Sequence, residues 1–222
     1  MSVTFYITLK TLEIRENNIM NHAKFLGAVA LLVFSAGASA ENYELDMGHS
    51  RIWFDVAHQG YSTMVGRFSD FGGTIDFDAD NPTASSVDIT INTASVDMFH
   101  DGLNDHLTRI VTEEGEEPRI DFFGVEMYPE MRFVSTNVED MGEGKMAVTG
   151  DLTMLGQTHP VSLNAVLNRT GDARGTPKVG FSATGTVDRT QYGMSGFGAG
   201  NPFGLGADIN VRIEIEATAS GD

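Results

Sequence analysis

Residues 208–217 read DINVRIEIEA, and this stretch decides the fold class. Ile209, Val211, Ile213 and Ile215 alternate with polar or charged residues, so an extended chain has one apolar face and one hydrated face. The run is longer than a typical strand, and long strands are suited to a tall barrel.

The same alternation recurs along the rest of the chain, while helical periodicity is almost absent. The chain is therefore predicted to be all-β. Turn residues at 80–82, 141–144 and 155–157 separate the strands, and the last of these is predicted to be a tight hairpin between antiparallel neighbours. The predicted strands are residues 51–56, 74–77, 87–92, 131–138, 146–155, 161–167, 179–187 and 208–217.

About eight long antiparallel strands in one domain must close into a barrel or stack as a sandwich, because an open sheet would leave exposed edges. The pattern alone does not choose between them. A barrel of about eight strands either holds one elongated ligand or closes over its own side chains. One exception to the β pattern lies at residues 101–110, where Leu103, Leu107 and Ile110 predict a short helix that caps one end.

Residues 1–40 are predicted to be a cleavable export signal. A basic start that includes Lys24 precedes the apolar run 25–34, and small residues at 38–40 form a cleavage site. The run is too short for a membrane anchor. Met20 heads the better-formed signal and is an alternative start. Cleavage predicts a single domain, residues 41–222, located in the periplasm.

The chain is strongly acidic and contains no cysteine, with a formal net charge of −17. Loss of residues 1–40 removes three basic and two acidic side chains, which leaves 11 basic and 29 acidic ones and a charge of −18. Such a surface repels nucleic acid and anionic headgroups. Without disulfides, an exported protein depends on packing alone. The charge also opposes tight self-association, so a weak homodimer is the most that we expect.

Several local patterns resemble catalytic or metal sites but have the wrong spacing. Residues 76–87 begin like a calcium-binding loop, yet Asn81 and Val87 stand where glycine and glutamate are needed. The histidines show neither a pair four apart nor a neighbouring cysteine, which argues against zinc. The glycine-rich region 191–206 has neither a nucleophile elbow nor a dinucleotide fingerprint. We expect no metal, no cofactor and no catalytic residue.

A series of fragments, taken together and in order, resembles the YceI-like family of polyisoprenoid-binding, lipocalin-like periplasmic proteins. The resemblance covers nearly all of residues 42–217. The fragments are HSRIWF at 49–54, HQGYS at 58–62, GRFSDF at 66–71, GTIDFD at 73–78, SVD at 95–97, DFFGVEMYP at 121–129, FVST at 133–136 and TGDLTMLGQTHPV at 149–161.

The resemblance implies an extended eight-stranded antiparallel β-barrel around an apolar cavity that takes an isoprenoid lipid, either a quinone or a polyprenyl compound, with no catalytic apparatus. Two features depart from the family pattern. Leu103 and Asn104 stand where the family usually shows an Arg-Asp pair, and residues 108–120 include an acidic insert. Both lie beside the predicted helix, so relatives are a poor guide to headgroup recognition here.

Candidate site residues follow from the strand phases and the resemblance. The apolar lining is predicted to include Phe54, Val56, Phe68, Ile89, Ile91, Phe133 and Phe181. The candidates for contact with a polar headgroup are His58, Arg67, His106 and Arg51. His58 shares the phase of Phe54 and Val56, so it is placed either to donate a hydrogen bond inside the barrel or to serve as a structural residue at a strand end.

Two other functions remain open at this point. The first is a ligand-free, stress-related interaction module that acts through the acidic insert and the glycine-rich region, and a filled interior would favour it. The second is an enzyme that modifies an isoprenoid lipid, for which His58, His106 and Asp105 are the available acid or base groups.

Overall fold

The computed structural model describes residues 40–194, 196–199, 201 and 203–220, which belong to one compact unit. Apart from Ala40, the predicted export signal at 1–40 lies outside the described residues. Within these ranges no helix has both the length and the hydropathy needed to cross a membrane.

The described residues form eleven strands and one α-helix, and every pair of neighbouring strands is antiparallel. The all-β prediction is confirmed. In chain order the elements are β1 (Glu41–Leu45), β2 (Arg51–His58), β3 (Ser62–Phe68), β4 (Phe71–Phe77), β5 (Ser86–Asn92), β6 (Val96–Asp97), α1 (Asp101–Thr108), β7 (Glu130–Gly142), β8 (Lys145–Met154), β9 (Gln157–Ala173), β10 (Thr176–Asp188) and β11 (Leu205–Ala219).

Eight of the strands close into a ring, in the order β1-β4-β5-β7-β8-β9-β10-β11, and β11 returns to β1. Closure pairs Tyr43 of β1 with Ala219 of β11, while Tyr43 pairs on its other side with Ile75 of β4. The predicted eight-stranded antiparallel barrel is therefore confirmed. Closure satisfies backbone groups that an open sheet would leave unpaired at its edges.

The remaining three strands extend the wall of the ring beyond one of its ends. β11 pairs with β2 through Leu205–Glu214 and with β1 through Ala217–Ala219, so β1 and β2 lie end to end along it. β3 and β4 also lie end to end, one strand further along the wall, because β3 pairs with β2 and β4 pairs with β1. β6 continues this extension with two residues that pair with β3.

Helix α1 closes the part of the wall where the strands stop. Among the described residues, β6 pairs only with β3, so the extended wall has no strand between β6 and β7. Leu103 and Leu107 of α1 face the interior there. The capping helix is confirmed, although it ends before Arg109, whose extended backbone leaves Ile110 outside the helix.

The predicted hairpin at 155–157 is also confirmed. Met154 pairs with Gln157, and the two residues between them, Leu155 and Gly156, have φ values of 52° and 72°. Positive φ at both central residues matches the right-handed twist of the flanking strands. The register of β8 and β9 is fixed by this turn.

Gly73 is a point at which the barrel wall tolerates only glycine. Its φ is +139°, and a Cβ there would lie 2.0 Å from the backbone oxygen of Asp88 on the neighbouring strand β5. Gly72 precedes it on the same strand, and a Cβ on Gly72 would meet nothing within 4 Å.

Gly73→Ala is expected to lower the free energy of unfolding by about 2–4 kcal/mol, because the new methyl group both strains the backbone and pushes β5 away. Urea unfolding followed by circular dichroism measures this change. Gly72→Ala is the matched control, with an expected change below about 1 kcal/mol. Equal losses in the two variants would contradict the close approach of β4 and β5.

Candidate functional site

The barrel encloses a cavity of about 460 Å³ whose lining comes from every strand of the wall except β1 and β6 and from helix α1. This volume is within the usual range for small-molecule sites. All seven residues predicted for an apolar lining do line it: Phe54, Val56, Phe68, Ile89, Ile91, Phe133 and Phe181.

The accessibility of β11 shows that the interior is hollow. Ile209, Val211, Ile213 and Ile215 all line the cavity, and all four keep part of their accessible surface although strands surround them. In a filled barrel these side chains would touch neighbours on all sides and lose that surface. The choice between a hollow and a filled barrel, which the strand pattern left open, is settled by this geometry.

Polar lining residues concentrate at one end of the cavity. We call this the helix end, because it is formed by α1, the β2–β3 turn and the described residues of 189–194, 196–199 and 203–205. The other end contributes Ser85, whose hydroxyl accepts a hydrogen bond from the Asp78 amide at 3.2 Å. The polar residues of the lining at the helix end are His58, Gln59, His106 and Arg189. An amphiphilic ligand would place its polar head there.

His58 is the last residue of β2, where it pairs with Leu205 on one side and Ser62 on the other. Its ring lines the cavity, and it has no hydrogen-bond partner within the part of the chain that the structure describes. An imidazole of this kind has both a donor and an acceptor free for a ligand.

His106, in contrast, is held by its neighbours. The Arg109 guanidinium lies 3.0 Å from Nδ1, and the ring contacts Phe122 and Phe197 at centroid distances of 5.3 Å each. Because a guanidinium only donates, Nδ1 accepts, and the neutral ring carries its proton on Nε2. Phe122 and Phe197 stack on each other at 5.2 Å, so the three rings form one aromatic cluster at the helix end.

Arg67 and Arg51, predicted as headgroup contacts, lie outside the cavity lining. Arg67 donates from Nε and Nη2 to Oδ2 of Asp97, at 3.0 and 2.9 Å, and Arg51 donates to the carbonyl of Ser50 at 2.6 Å. Each arginine is the sequence neighbour of an inward-facing residue. Since side chains alternate along a strand, both arginines project from the outer face.

Arg189, which was not predicted from the sequence, is 2% exposed and lines the helix end of the cavity. Nε donates to the Gly206 carbonyl at 2.7 Å, Nη2 donates to those of Gly196 and Leu205 at 3.0 Å each, and Nη1 donates to that of Met194. Burial lowers the pKa of this guanidinium. The side chain therefore holds the glycine-rich segment against the barrel.

One signal in the sequence could have pointed to Arg189. It is the last charged residue before the uncharged run 190–207, which contains six glycines between residues 191 and 206. A glycine-rich segment has no side chains to satisfy its backbone carbonyls when it packs on a domain. A single guanidinium with five N–H groups can satisfy several of them.

Outside the cavity, Asp46, His49 and Glu216 come close enough together to resemble a metal site. The ammonium of Lys178 already lies between the two carboxylates, at 2.6 Å from Glu216 and 3.3 Å from Asp46. These contacts raise the pKa of Lys178, with the hydrogen bond to Glu216 as the largest cause. The cluster is best described as a charge network that joins β10, β11 and the β1–β2 connection.

The acidic insert 108–120 forms a surface loop beside α1. An isolated bridge pairs Val111 with Arg119, and Arg119 makes ion pairs with Asp121 at 2.7 Å and with Glu113 at 3.9 Å. None of its residues lines the cavity.

Arg189→Met is expected to reduce the free energy of unfolding by about 2–4 kcal/mol, because four carbonyl groups lose a charged donor in a buried position. Thermal unfolding measures the loss, and limited proteolysis should show faster cleavage within residues 190–206. Arg212→Met is the control, since Arg212 is exposed and stacks on Trp53 at 4.5 Å. Unchanged proteolysis in the Arg189 variant would contradict the anchoring role.

Comparison with known proteins gives consistent matches over the described fold. The profile of the YceI-like domain matches residues 43–218. A UPF0312 protein of Photorhabdus laumondii is 42% identical over 192 residues, which cover 85% of this chain and 93% of the relative. A UPF0312 protein of Shewanella sp. (strain ANA-3) is 39% identical over 188 residues, with 83% and 90% covered.

Solved structures show the same barrel. BcnA of Burkholderia cenocepacia superposes with a TM-score of 0.67 at 22% identity, covering 78% of this chain and 99% of BcnA. The YCEI protein of Campylobacter jejuni gives 0.63 at 28% identity, with 74% and 90% covered. A polyisoprenoid binding domain from Saccharophagus degradans gives 0.55 at 16% identity, with 80% and 98% covered.

The family profile spans most of the chain, two relatives are about 40% identical over more than four fifths of it, and the barrel matches the solved structures. The chain therefore belongs to the YceI-like family.

Proposed function

We propose that this protein is a binding protein that holds an isoprenoid lipid inside its barrel, for transport or storage in the periplasm. The observation that carries the proposal is the hollow apolar cavity of about 460 Å³ with its polar groups at one end. The likeness to a polyisoprenoid binding domain from Saccharophagus degradans supports the choice of ligand class. The predicted export signal at 1–40 supports the location.

The lining explains how such a ligand would be held. An isoprenoid tail makes no hydrogen bonds, so its affinity must come from apolar surface removed from water. Burial of about 400 Å² of tail contributes on the order of 10 kcal/mol at roughly 25 cal/mol per Å². Loss of translational and rotational freedom offsets part of this gain. The remainder is enough for micromolar or tighter binding.

The polar groups at the helix end favour a neutral head, such as a quinone ring, over a pyrophosphate. Arg189 is the cationic side chain of the lining, and its donors are engaged by four backbone carbonyls. His58 and Gln59 offer hydrogen-bond donors and acceptors instead. A carbonyl oxygen on the ligand fits these partners, whereas a pyrophosphate would need cations that are free to pair with it.

The same geometry supports a binding role over an enzymatic one. Of the three groups considered for acid or base chemistry, Asp105 is exposed on α1 and pairs with Arg109 at 3.4 Å, outside the cavity lining. His106 is engaged by Arg109 and two aromatic rings, which leaves His58 without a second titratable group from this set, among the residues that the structure describes, to act with it. The ligand-free interaction module would have been favoured by a filled interior, and the barrel is hollow.

Native mass spectrometry of the protein purified from its own cells tests the proposal, followed by identification of any small molecule released on denaturation. A stoichiometric isoprenoid quinone is the expected result. A bare protein that stays bare after incubation with quinones and with polyprenyl phosphates would refute it.

Two matched variants locate the ligand within the barrel. Ala183 lines the cavity, while Ala147 has the opposite strand phase on β8, next to the lining residues Met146 and Val148. Ala183→Phe is expected to reduce the bound lipid at least about tenfold, because the added ring occupies the space of the tail and a loss of 1.4 kcal/mol already corresponds to tenfold. Ala147→Phe adds the same ring to the outer face and should leave the lipid in place. Equal retention in both variants would exclude the cavity as the binding site.

A further inference from the structure

Two exposed aromatic side chains stand at the helix end, next to the cavity. Tyr61 is 88% exposed in the β2–β3 turn, and Phe203 is 80% exposed just before β11. The Gln59 amide donates to the Gly204 carbonyl at 2.8 Å, which ties the two segments together. We call Tyr61 and Phe203 the aromatic tips.

The aromatic tips stand where the cavity reaches the protein surface. Gln59 and Phe197 line the cavity and are exposed to solvent, and Phe197 is 49% exposed. Gln59 lies two residues before Tyr61, and Leu205, also in the lining, lies two residues after Phe203. A ligand that passes through this end would pass beside both tips.

The segments that carry the tips have no charged residue in an otherwise acidic protein. Residues 56–66 and 190–207 contain no Asp, Glu, Lys or Arg, whereas the whole chain has a net charge of −17. These two segments therefore form an uncharged part of the helix end, which is bordered by the exposed Asp101 and Asp105 of α1. A surface that approaches a bilayer must lose its hydration, and this costs far less for uncharged groups than for charged ones.

We propose that the aromatic tips dock the helix end onto the surface of a zwitterionic lipid bilayer, from which the cavity exchanges its ligand. This inference rests on the proposed function for the identity of the ligand, but the docking itself does not. Tyrosine and phenylalanine bury apolar rings among lipid headgroups, and the tyrosine hydroxyl stays hydrated at that depth. The net negative charge keeps the protein off anionic bilayers at long range.

The small size of the patch favours a bilayer over a protein partner. A stable protein interface buries about 800 Å² on each side with close shape complementarity. The two tips lie on separate connections and offer far less apolar surface than such an interface needs. Insertion into headgroups needs no complementary shape, and its strength increases with the apolar area that is buried.

The test is flotation of the protein with phosphatidylcholine vesicles and, separately, with phosphatidylglycerol vesicles. The unaltered protein is expected to float with phosphatidylcholine and to bind phosphatidylglycerol less well at low salt. Tyr61→Ser with Phe203→Ser should weaken binding to phosphatidylcholine about tenfold for each ring removed, since full burial of one large apolar side chain provides at least this factor.

Met141 provides a matched control at the opposite end of the barrel, where it is 64% exposed beside the β7–β8 turn. Met141→Ser should leave binding unchanged.

Tryptophan fluorescence gives a second measurement. The emission of the Phe203→Trp variant is expected to shift to the blue on addition of phosphatidylcholine vesicles, and that of the Met141→Trp variant is not. Trp53 contributes the same background to both. The pair shows which end meets the lipid.

The outcomes separate docking from ligand binding. Serine variants that lose vesicle binding but retain their lipid in native mass spectrometry support the proposal. An unaltered protein that does not float, or serine variants that float as well as it does, would overturn the docking and leave the proposed function standing. Loss of self-association in the variants, without any vesicle binding, would assign the tips to a homodimer and also overturn it. Vesicle binding by a protein that holds no lipid would refute the proposed function and retain the docking.

Discussion

The pairing of β11 with both β1 and β2 is the constraint on which the rest of the structure depends. One long strand closes the ring through residues 217–219 and supports the extended wall through residues 205–214. A hollow apolar interior offers no partners to backbone amides and carbonyls, so the wall itself must satisfy them. Because the chain has no cysteine, no disulfide can replace that closure.

The cavity is favourable for binding and unfavourable for stability. Side chains that face it forgo the contacts that a close-packed core would give them. The wall compensates by long strands with extensive pairing, such as β9 with 17 residues and β11 with 15. Close contacts reinforce it where strands approach, for example at Gly73 against Asp88. The structure is stabilised chiefly in its wall, which leaves the centre available to a ligand.

The two ends of the barrel have different chemistry, so an amphiphilic ligand has one preferred orientation in the cavity. At the helix end, strands β2 and β3 extend beyond the closed ring. Helix α1 and the glycine-rich segment cover the part of this extended wall that has no strand. The buried guanidinium of Arg189 holds that segment through carbonyl groups, so its positive charge is not available to an anionic ligand. The polar groups of the lining and the exposed aromatic side chains therefore meet at the same end.

The sequence by itself determined the features that depend on local periodicity. Alternation with a period of two predicted eight of the eleven strands, but not β1, β3 or β6, and together with the family resemblance it predicted the seven lining residues. Turn chemistry predicted the hairpin at Leu155 and Gly156, because it depends on neighbours along the chain. The same period places Arg51 and Arg67 on the outer face, and they were proposed as headgroup contacts only because they stand close to family motifs. Only the tertiary structure decided that the strands close into a barrel, that its interior is hollow, and that Arg189 is buried. These depend on which distant segments meet, as β1 meets β11, and local patterns carry no information about such contacts.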